Sequence, residues 1–304
     1  MENRDLEYIV AIAEEGSISA AAERLHMAQS SLSQALSTME TRQQCKLFNR
    51  TSRGMRLTAA GEMMLDYAYQ TLEAYRQTIK RMQDTEGEIR GTVLLGISSF
   101  RGSYLLPPVL KEVEKNYPEI HVRVIEANSM TLEEQLLEGE IDLALLVTPL
   151  ASTRIHTKLL IEDEICLIAS PDHPVLERAK KNTSRKDSEI PYSIDIEDTM
   201  DYEYLLCEHN SILGREARRI FMSKGLSPTS YNENLTALMA ATMAEAGLGL
   251  AFTYYSARRY FKDAVMLSLG EAGTSIQLAM AMPPGKYHSR AAKALRDAFF
   301  QVLK

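Results

Sequence analysis

Between Thr58 and Glu86, six apolar residues follow one another at spacings of 3, 4, 3, 4 and 3: Leu65, Ala68, Leu72, Tyr75, Ile79 and Met82. That rhythm keeps one face of an α-helix apolar over more than two heptads, as in helices that lie along other helices. The surrounding sequence is too short to cover such a stripe, so these six residues are expected to form a dimerisation face against a second copy of the chain. Thr58 is placed to cap the helix. The segment 85–91 is polar, carries Gly87 and Gly91, and reads as a linker.

The pattern changes character on either side of that helix. Before it, Leu6, Ile9, Val10 and Ala13 have helical spacing and Gly16 ends their run. Ser17 or Ser19 can cap a short helix, 20–25. After the break His26-Met27-Ala28, a third helix is expected over 29–43, with Leu32, Leu36 and Met39 on one face. Two short helices, a tight turn and a third helix make a helix-turn-helix. The runs 46–50 and 55–57 then flank the turn Thr51-Ser52-Arg53-Gly54 and read as a β-hairpin, a wing.

Beyond residue 91 strands and helices alternate, which implies a parallel sheet covered by helices. Strands are expected at 93–97, 120–126, 141–147, 158–161, 164–169, 204–207, 250–253 and 276–282, and helices at 104–116, 131–138, 212–224, 235–246 and 289–303. The charged stretch 178–189 reads as an exposed loop. The expected organisation is therefore a DNA-binding winged helix-turn-helix over 1–58, a linker and dimerisation helix over 59–90, and an α/β domain over 91–304.

The net charge of −7 argues at first against a nucleic-acid partner, but its distribution does not. No acidic residue lies between Glu40 and Glu62, while Arg42, Lys46, Arg50, Arg53 and Arg56 fall in that gap. A compact basic patch beside a helix-turn-helix is a usable phosphate footprint. No run of apolar residues is long enough to cross a membrane, and the charged start lacks a signal-peptide core; a cytoplasmic location is expected. Cys45, Cys166 and Cys207 make neither a disulfide framework nor a metal knuckle. No phosphate-binding loop, G-x-S-x-G or H-E-x-x-H occurs, and Gly247-Leu248-Gly249 opens a strand, the wrong context for a dinucleotide. No enzyme activity, cofactor or metal site is expected.

In a helix-turn-helix the third helix enters the major groove. Its exposed positions offer Gln29, Ser30, Ser31, Ser33, Gln34, Ser37 and Thr38. Gln pairs with adenine through two bonds, and Ser or Thr bonds several bases. Arg50 and Arg53 of the wing are expected at phosphates or in the minor groove. In the α/β part, ligands are expected beyond the carboxyl ends of strands. That rule selects Ser98, Ser99, Phe100 and Arg101; Ser129 beside Asn128; and His209 and Asn210, and Thr148 is a further candidate contact. Small hydroxyl and amide groups at helix starts suit a small anion, with Arg101 the expected charge partner. Helix capping is the alternative role for Ser129 and Ser211, and plain exposure for His209.

The ordered set Leu6-Glu7-Tyr8, 13–22, 25–33, Leu47-Phe48-Asn49-Arg50 and 57–61 resembles the LysR-type transcriptional regulators. Leu105-Leu106-Pro107, Tyr117-Pro118, 137–139, 141–144, 171–174 and 246–250 resemble that family's effector domain. The resemblance implies an α/β domain of two lobes, similar to periplasmic binding proteins, with lobe I near 91–160 and 268–304 and lobe II near 161–267. It implies crossovers near 148–161 and 266–269, and effector contacts at the segment matching Ser98 to Phe100 and at Ser129. It also implies a homodimer assembling into a homotetramer on a pseudo-palindromic promoter site, with RNA polymerase as a further candidate partner. The expected function is sequence-specific DNA binding modulated by a small anionic effector. A regulator without a small ligand, or a solute-binding module, are the alternatives. This chain departs from the family at Gln34, Ser37 and Thr38, positions often basic in relatives.

Overall fold

The computed structural model describes the chain except for Met1, Arg53, 86–87, 183–189, Glu271, Lys286 and Lys304. It divides into two compact units, Met1–Glu86 and Gly87–Lys304.

In the first unit, α1 (Asn3–Glu15), α2 (Ile18–Arg24) and α3 (Gln29–Gln43) enclose a core that includes Ile9, Ile12, Ala21, Leu32, Leu36 and Met39. Gly16 ends α1 at φ 60°, a left-handed turn that glycine adopts without steric cost. β1 (Phe48–Thr51) and β2 (Gly54–Leu57) pair antiparallel as the hairpin. Its turn sits against the α1–α2 turn, where Met55 N–H donates to Gly16 O at 2.7 Å. A Cβ on Gly54 would come within 2.4 Å of that same carbonyl, so only glycine fits.

α4 (Ala59–Asp84) starts at Thr58, whose Oγ1 accepts from Gly61 N at 3.0 Å and donates to Lys46 O at 2.6 Å. Such a cap is worth about 1 kcal/mol, and here it also ties the helix to the wing. The expected six-residue stripe divides. Leu65 packs on the core of its own unit, and Ala68 is 0% exposed. Those two are corrected from partner contacts to core residues, because α1 covers the start of α4. Farther along, Tyr75 is 52% and Met82 60% exposed, with Leu72 and Ile79 half-buried.

In the second unit the chain alternates as the sequence implies. β3 (Gly91–Ile97), α5 (Ser99–Asn116), β4 (Ile120–Glu126), α6 (Ser129–Glu138) and β5 (Leu143–Thr148) build a first lobe. β3 pairs parallel with both β4 and β5. β6 (His156–Ala169) then runs through both lobes. β7 (Lys180–Lys181), β8 (Tyr192–Ile194), β9 (Glu203–Cys207), α7 (Ile212–Ser223), β10 (Thr229–Leu235), α8 (Ala237–Glu245), β11 (Leu250–Tyr254) and β12 (Val265–Leu269) form the second lobe. β13 (Ser275–Met282) and α9 (Arg290–Val302) return to the first.

The strand order is β4-β3-β5-β13-β6 in the first lobe and β10-β9-β11-β6-β12-β8-β7 in the second. The two strand runs expected at 158–161 and 164–169 are one continuous strand. Residues 156–164 of β6 pair with β13, and 165–169 pair with β11 and β12. The crossover expected near 266–269 falls inside β12, where Leu267 and Leu269 are buried; the chain changes lobe after it, before β13. Most of the charged stretch expected to be a loop, 183–189, lies outside the described residues.

Candidate functional site

On the first unit, α3 presents Gln29, Ser30, Ser31, Gln34, Ser37 and Thr38 to solvent, with Ser33 half-buried. The opposite face, Leu32, Leu36 and Met39, is locked in the core. Thr38 donates its hydroxyl to Gln34 O at 2.9 Å. Arg50 of β1 donates to Ser33 Oγ at 3.2 Å, which sets the wing arginine beside the exposed face of α3. Arg53 lies outside the described residues.

The five-residue basic patch is less positive than the sequence suggests. Arg42 pairs with Asp5 at 2.7 Å, and Lys46 pairs with Glu40 at 2.6 Å. Glu40 is 8% exposed and also accepts the N–H groups of Leu47 (2.9 Å) and Phe48 (3.2 Å). Burial pushes its carboxyl pKa up, but Lys46 and those two N–H groups outweigh it and hold the carboxyl below its ordinary value. Asp5 is likewise held low, burial being outweighed by Arg42 and the Glu2 N–H. Both pairs therefore fasten α1, α3 and the wing together. Arg50 and Arg56 have no carboxylate partner among the described residues.

In the second unit, β3, β4 and β5 run parallel, so their carboxyl ends share one edge. Ser98 stands at the start of α5 with no capping bond from its side chain, and Ser99 is exposed. At α6 the cap is Asn128, which accepts from Thr131 N at 3.1 Å, so Ser129 next to it is not the capping side chain. Thr148 ends β5 and donates to Gln277 Oε1 at 3.3 Å. His209 and Asn210 are exposed beyond β9, before Ser211, which caps α7.

Arg101 corrects an expectation. It is no open charge for an anion: its side chain is 2% exposed and pairs with Asp163, also 2% exposed, at 2.9 Å. Its guanidinium lies 3.7 Å from the centre of the Tyr254 ring. Asp163 accepts further from Ser256 N (2.9 Å), Ser256 Oγ (2.6 Å) and Glu164 N (3.0 Å), and Tyr104 OH lies 2.9 Å from Ser256 Oγ. Phe100 is also buried, among Tyr104, Tyr254 and Phe261. The first turn of α5 is thus pinned to the second lobe by an ion pair and an aromatic cluster. Phe100 and Arg101 hold the lobes together, while Ser98 and Ser99 beside them remain accessible.

A cleft of about 930 Å³ opens between the lobes. The first lobe contributes Thr148, Thr157 and Gln277, with Val147, Leu159 and Ala279 as apolar wall. The second lobe contributes Ile212, Arg215, Glu216 and Arg219 of α7. Of the residues expected to meet a ligand, Thr148 lines this cleft, and His209 lines an adjoining depression that shares Arg215 and Arg219. Ser98, Ser99, Ser129 and Asn210 line neither. Sequence reasoning missed Arg215, Arg219 and Gln277. The available signal was Arg215 and Arg219 one turn apart on a helix whose other face carries Leu213, Ala217 and Phe221. Among the described residues no cluster is arranged to hold a metal ion, and no helix is long and apolar enough to cross a membrane.

Residues 3–62 match the model of the bacterial regulatory helix-turn-helix protein, lysR family, and residues 86–304 match the LysR substrate binding domain. The transcriptional regulator AlsR of Bacillus subtilis is 31% identical over 264 residues, 86% of this chain and 83% of that one. The nitrogen assimilation regulatory protein nac of Klebsiella aerogenes is 26% identical over 309 residues, 100% of this chain and 95% of that one. A full-length OxyR variant from Pseudomonas aeruginosa has the same fold, with a TM-score of 0.70 at 22% identity and 100% of both chains covered. Full-length CbnR in complex with its target DNA superposes with a TM-score of 0.64 at 19% identity, over 100% of this chain and 99% of that one.

Proposed function

The chain belongs to the LysR family of DNA-binding transcriptional regulators, with a helix-turn-helix and an effector-binding domain and no enzymatic role, and from that premise we propose how its residues divide the work. α3 enters the major groove, and Gln29, Ser30, Ser33, Gln34, Ser37 and Thr38 meet base edges and flanking phosphates. The observation that carries this reading is the uncharged outer face of α3 with Arg50 tethered alongside it at Ser33. Arg50 supplies the attraction for phosphate that the Gln29–Thr38 part of α3 lacks. Arg56 of β2 extends it along the wing, and Arg53 is a further candidate phosphate contact.

Leu72, Tyr75, Ile79 and Met82 of α4 pair two chains, and two such dimers form a tetramer on a pseudo-palindromic site. The second unit binds a small anionic effector in the cytoplasm. Ser98, Ser99, Ser129, Thr148, His209 and Asn210, at strand ends in both lobes, are its candidate contacts. A ligand that prefers one lobe arrangement shifts the population toward it. The Arg101–Asp163 junction makes that arrangement discrete.

Competition gel shifts test the DNA part. Full-length protein bound to its own upstream region is challenged with fragments changed at one base pair. Gln34→Ala is expected to lose discrimination at one position, about 1–3 kcal/mol. Retained discrimination at every position in Gln34→Ala and Ser33→Ala would remove α3 as the reading element.

A further inference from the structure

We propose that Asp5 limits the hold of this protein on DNA of any sequence: its carboxylate cancels the charge of Arg42 beside the outer face of α3. The proposal rests on the reading of α3 as the element that enters the major groove, and it names the residue that sets how much phosphate attraction accompanies that entry.

Ser30, Gln34, Thr38 and Arg42 follow one another in steps of four residues and so share one stripe of α3. A groove of about 530 Å³ beside that stripe is lined by these four, by Ser31 and, from α1, by Asp5. Ser30, Ser31, Gln34, Thr38 and Arg42 are exposed. Hydroxyls, an amide and a guanidinium are the donors that hold a DNA phosphate. Asp5 is the one acid among the described residues that line the groove.

Asp5 Oδ2 accepts from Arg42 Nη2 at 2.7 Å and from Glu2 N at 3.2 Å. The second bond belongs to the capping box of α1, so the helix itself fixes the carboxylate at this spot. The chain has no acid between Glu40 and Glu62, yet the fold brings one to Arg42 from 37 residues earlier. With side chains 48% and 23% exposed, such a pair contributes little to stability. Its larger effect is on an approaching phosphate. That phosphate meets the guanidinium and the carboxylate together, so attraction and repulsion offset each other and no counterion is released on balance. The sequence-independent grip is left to Arg50 and Arg56, and the protein departs more readily from DNA that lacks its site.

The test is fluorescence anisotropy with full-length protein on its own upstream fragment and on an unrelated fragment of the same length, at rising salt. Asp5→Asn removes the charge and keeps an acceptor for the Glu2 N–H. It is expected to tighten binding to both fragments and to steepen the log–log salt dependence by about 1, which over an about four-fold change in salt is about 3-fold in affinity. Asp5→Ser, a second neutral residue that accepts at a helix start, is expected to do the same. Arg42→Gln added to Asp5→Asn is expected to return the dependence to that of wild type. A steeper dependence that survives Arg42→Gln, or a tightening confined to the upstream fragment, would overturn the proposal, since the effect would then run through another group or through a base. An unchanged dependence in both neutral variants, with Arg50→Ala still lowering it, would overturn the proposal and leave the reading of α3 and the wing standing. Wild-type binding that ignores salt would overturn both.

Discussion

The two units place opposite charges together in different surroundings. In the first, Asp5–Arg42 forms at the surface, with Arg42 48% exposed, and Glu40–Lys46 joins a buried carboxylate to an ammonium that is 72% exposed. In the second, Arg101–Asp163 forms where both side chains are 2% exposed. Exposed pairs trade one solvated state for another and contribute little. A buried pair has no water to fall back on, so the loss of either partner strands a charge. The difference teaches that the first unit uses ion pairs to fasten a wing, while the second uses one to fix a junction between lobes.

The sharpest way to break that contrast is Arg101→Ala. It leaves Asp163 buried without its cation and is expected to cost about 3–5 kcal/mol in denaturant unfolding of the second unit. A loss below about 1 kcal/mol would mean the junction is solvated and the contrast is false. Glu40→Ala should come next, at about 2 kcal/mol, because the N–H groups of Leu47 and Phe48 lose their acceptor. DNA affinity is expected to fall with it, since the wing is held through Glu40. Arg42→Ala, which removes only an exposed pair, is expected to cost less than about 1 kcal/mol in the same measurement.

Acid should discriminate between the units as well. Asp5 and Glu40 both have carboxyl pKa values below their ordinary ones in the folded state. Their stabilisation is therefore present above the unfolded pKa and is lost as pH falls through the folded one. Urea midpoints of the first unit followed from pH 7 downward are expected to drop through the carboxylate range, and Glu40→Gln should flatten that dependence. A Glu40→Gln profile parallel to wild type would show that Glu40 does not titrate as its contacts imply.

The helix-turn-helix was legible because its signals are local. Periodicity at Leu32, Leu36 and Met39, the stop at Gly16 and the cap at Thr58 each act within a few residues. The double-lobed sheet was legible as alternation, but its joints were not. β6 looked like two strands because Glu162 and Asp163 interrupt an apolar run, and burial of Asp163 is explained by Arg101, 62 residues earlier, and Ser256, 93 residues later. β10, with the sequence TSYNENL, was invisible because an edge strand needs no apolar alternation. The strand-end rule selected Ser98, Ser129 and His209, whereas Arg215 escaped it, because it lies inside a helix rather than at a strand end. The expectation for Ala68 failed for a related reason: periodicity reports which face is apolar, not whether α1 or a second chain covers it.

DNA binding by the first unit depends most on Arg50, beside α3, gripping phosphate. The direct measurement is the affinity of the full-length protein for its own upstream fragment as a function of salt, for wild type and for Arg50→Ala. Wild-type binding is expected to weaken linearly in log–log form, and Arg50→Ala to lower the affinity and reduce the slope by about 1. Identical affinity and slope in the two proteins would contradict the assignment.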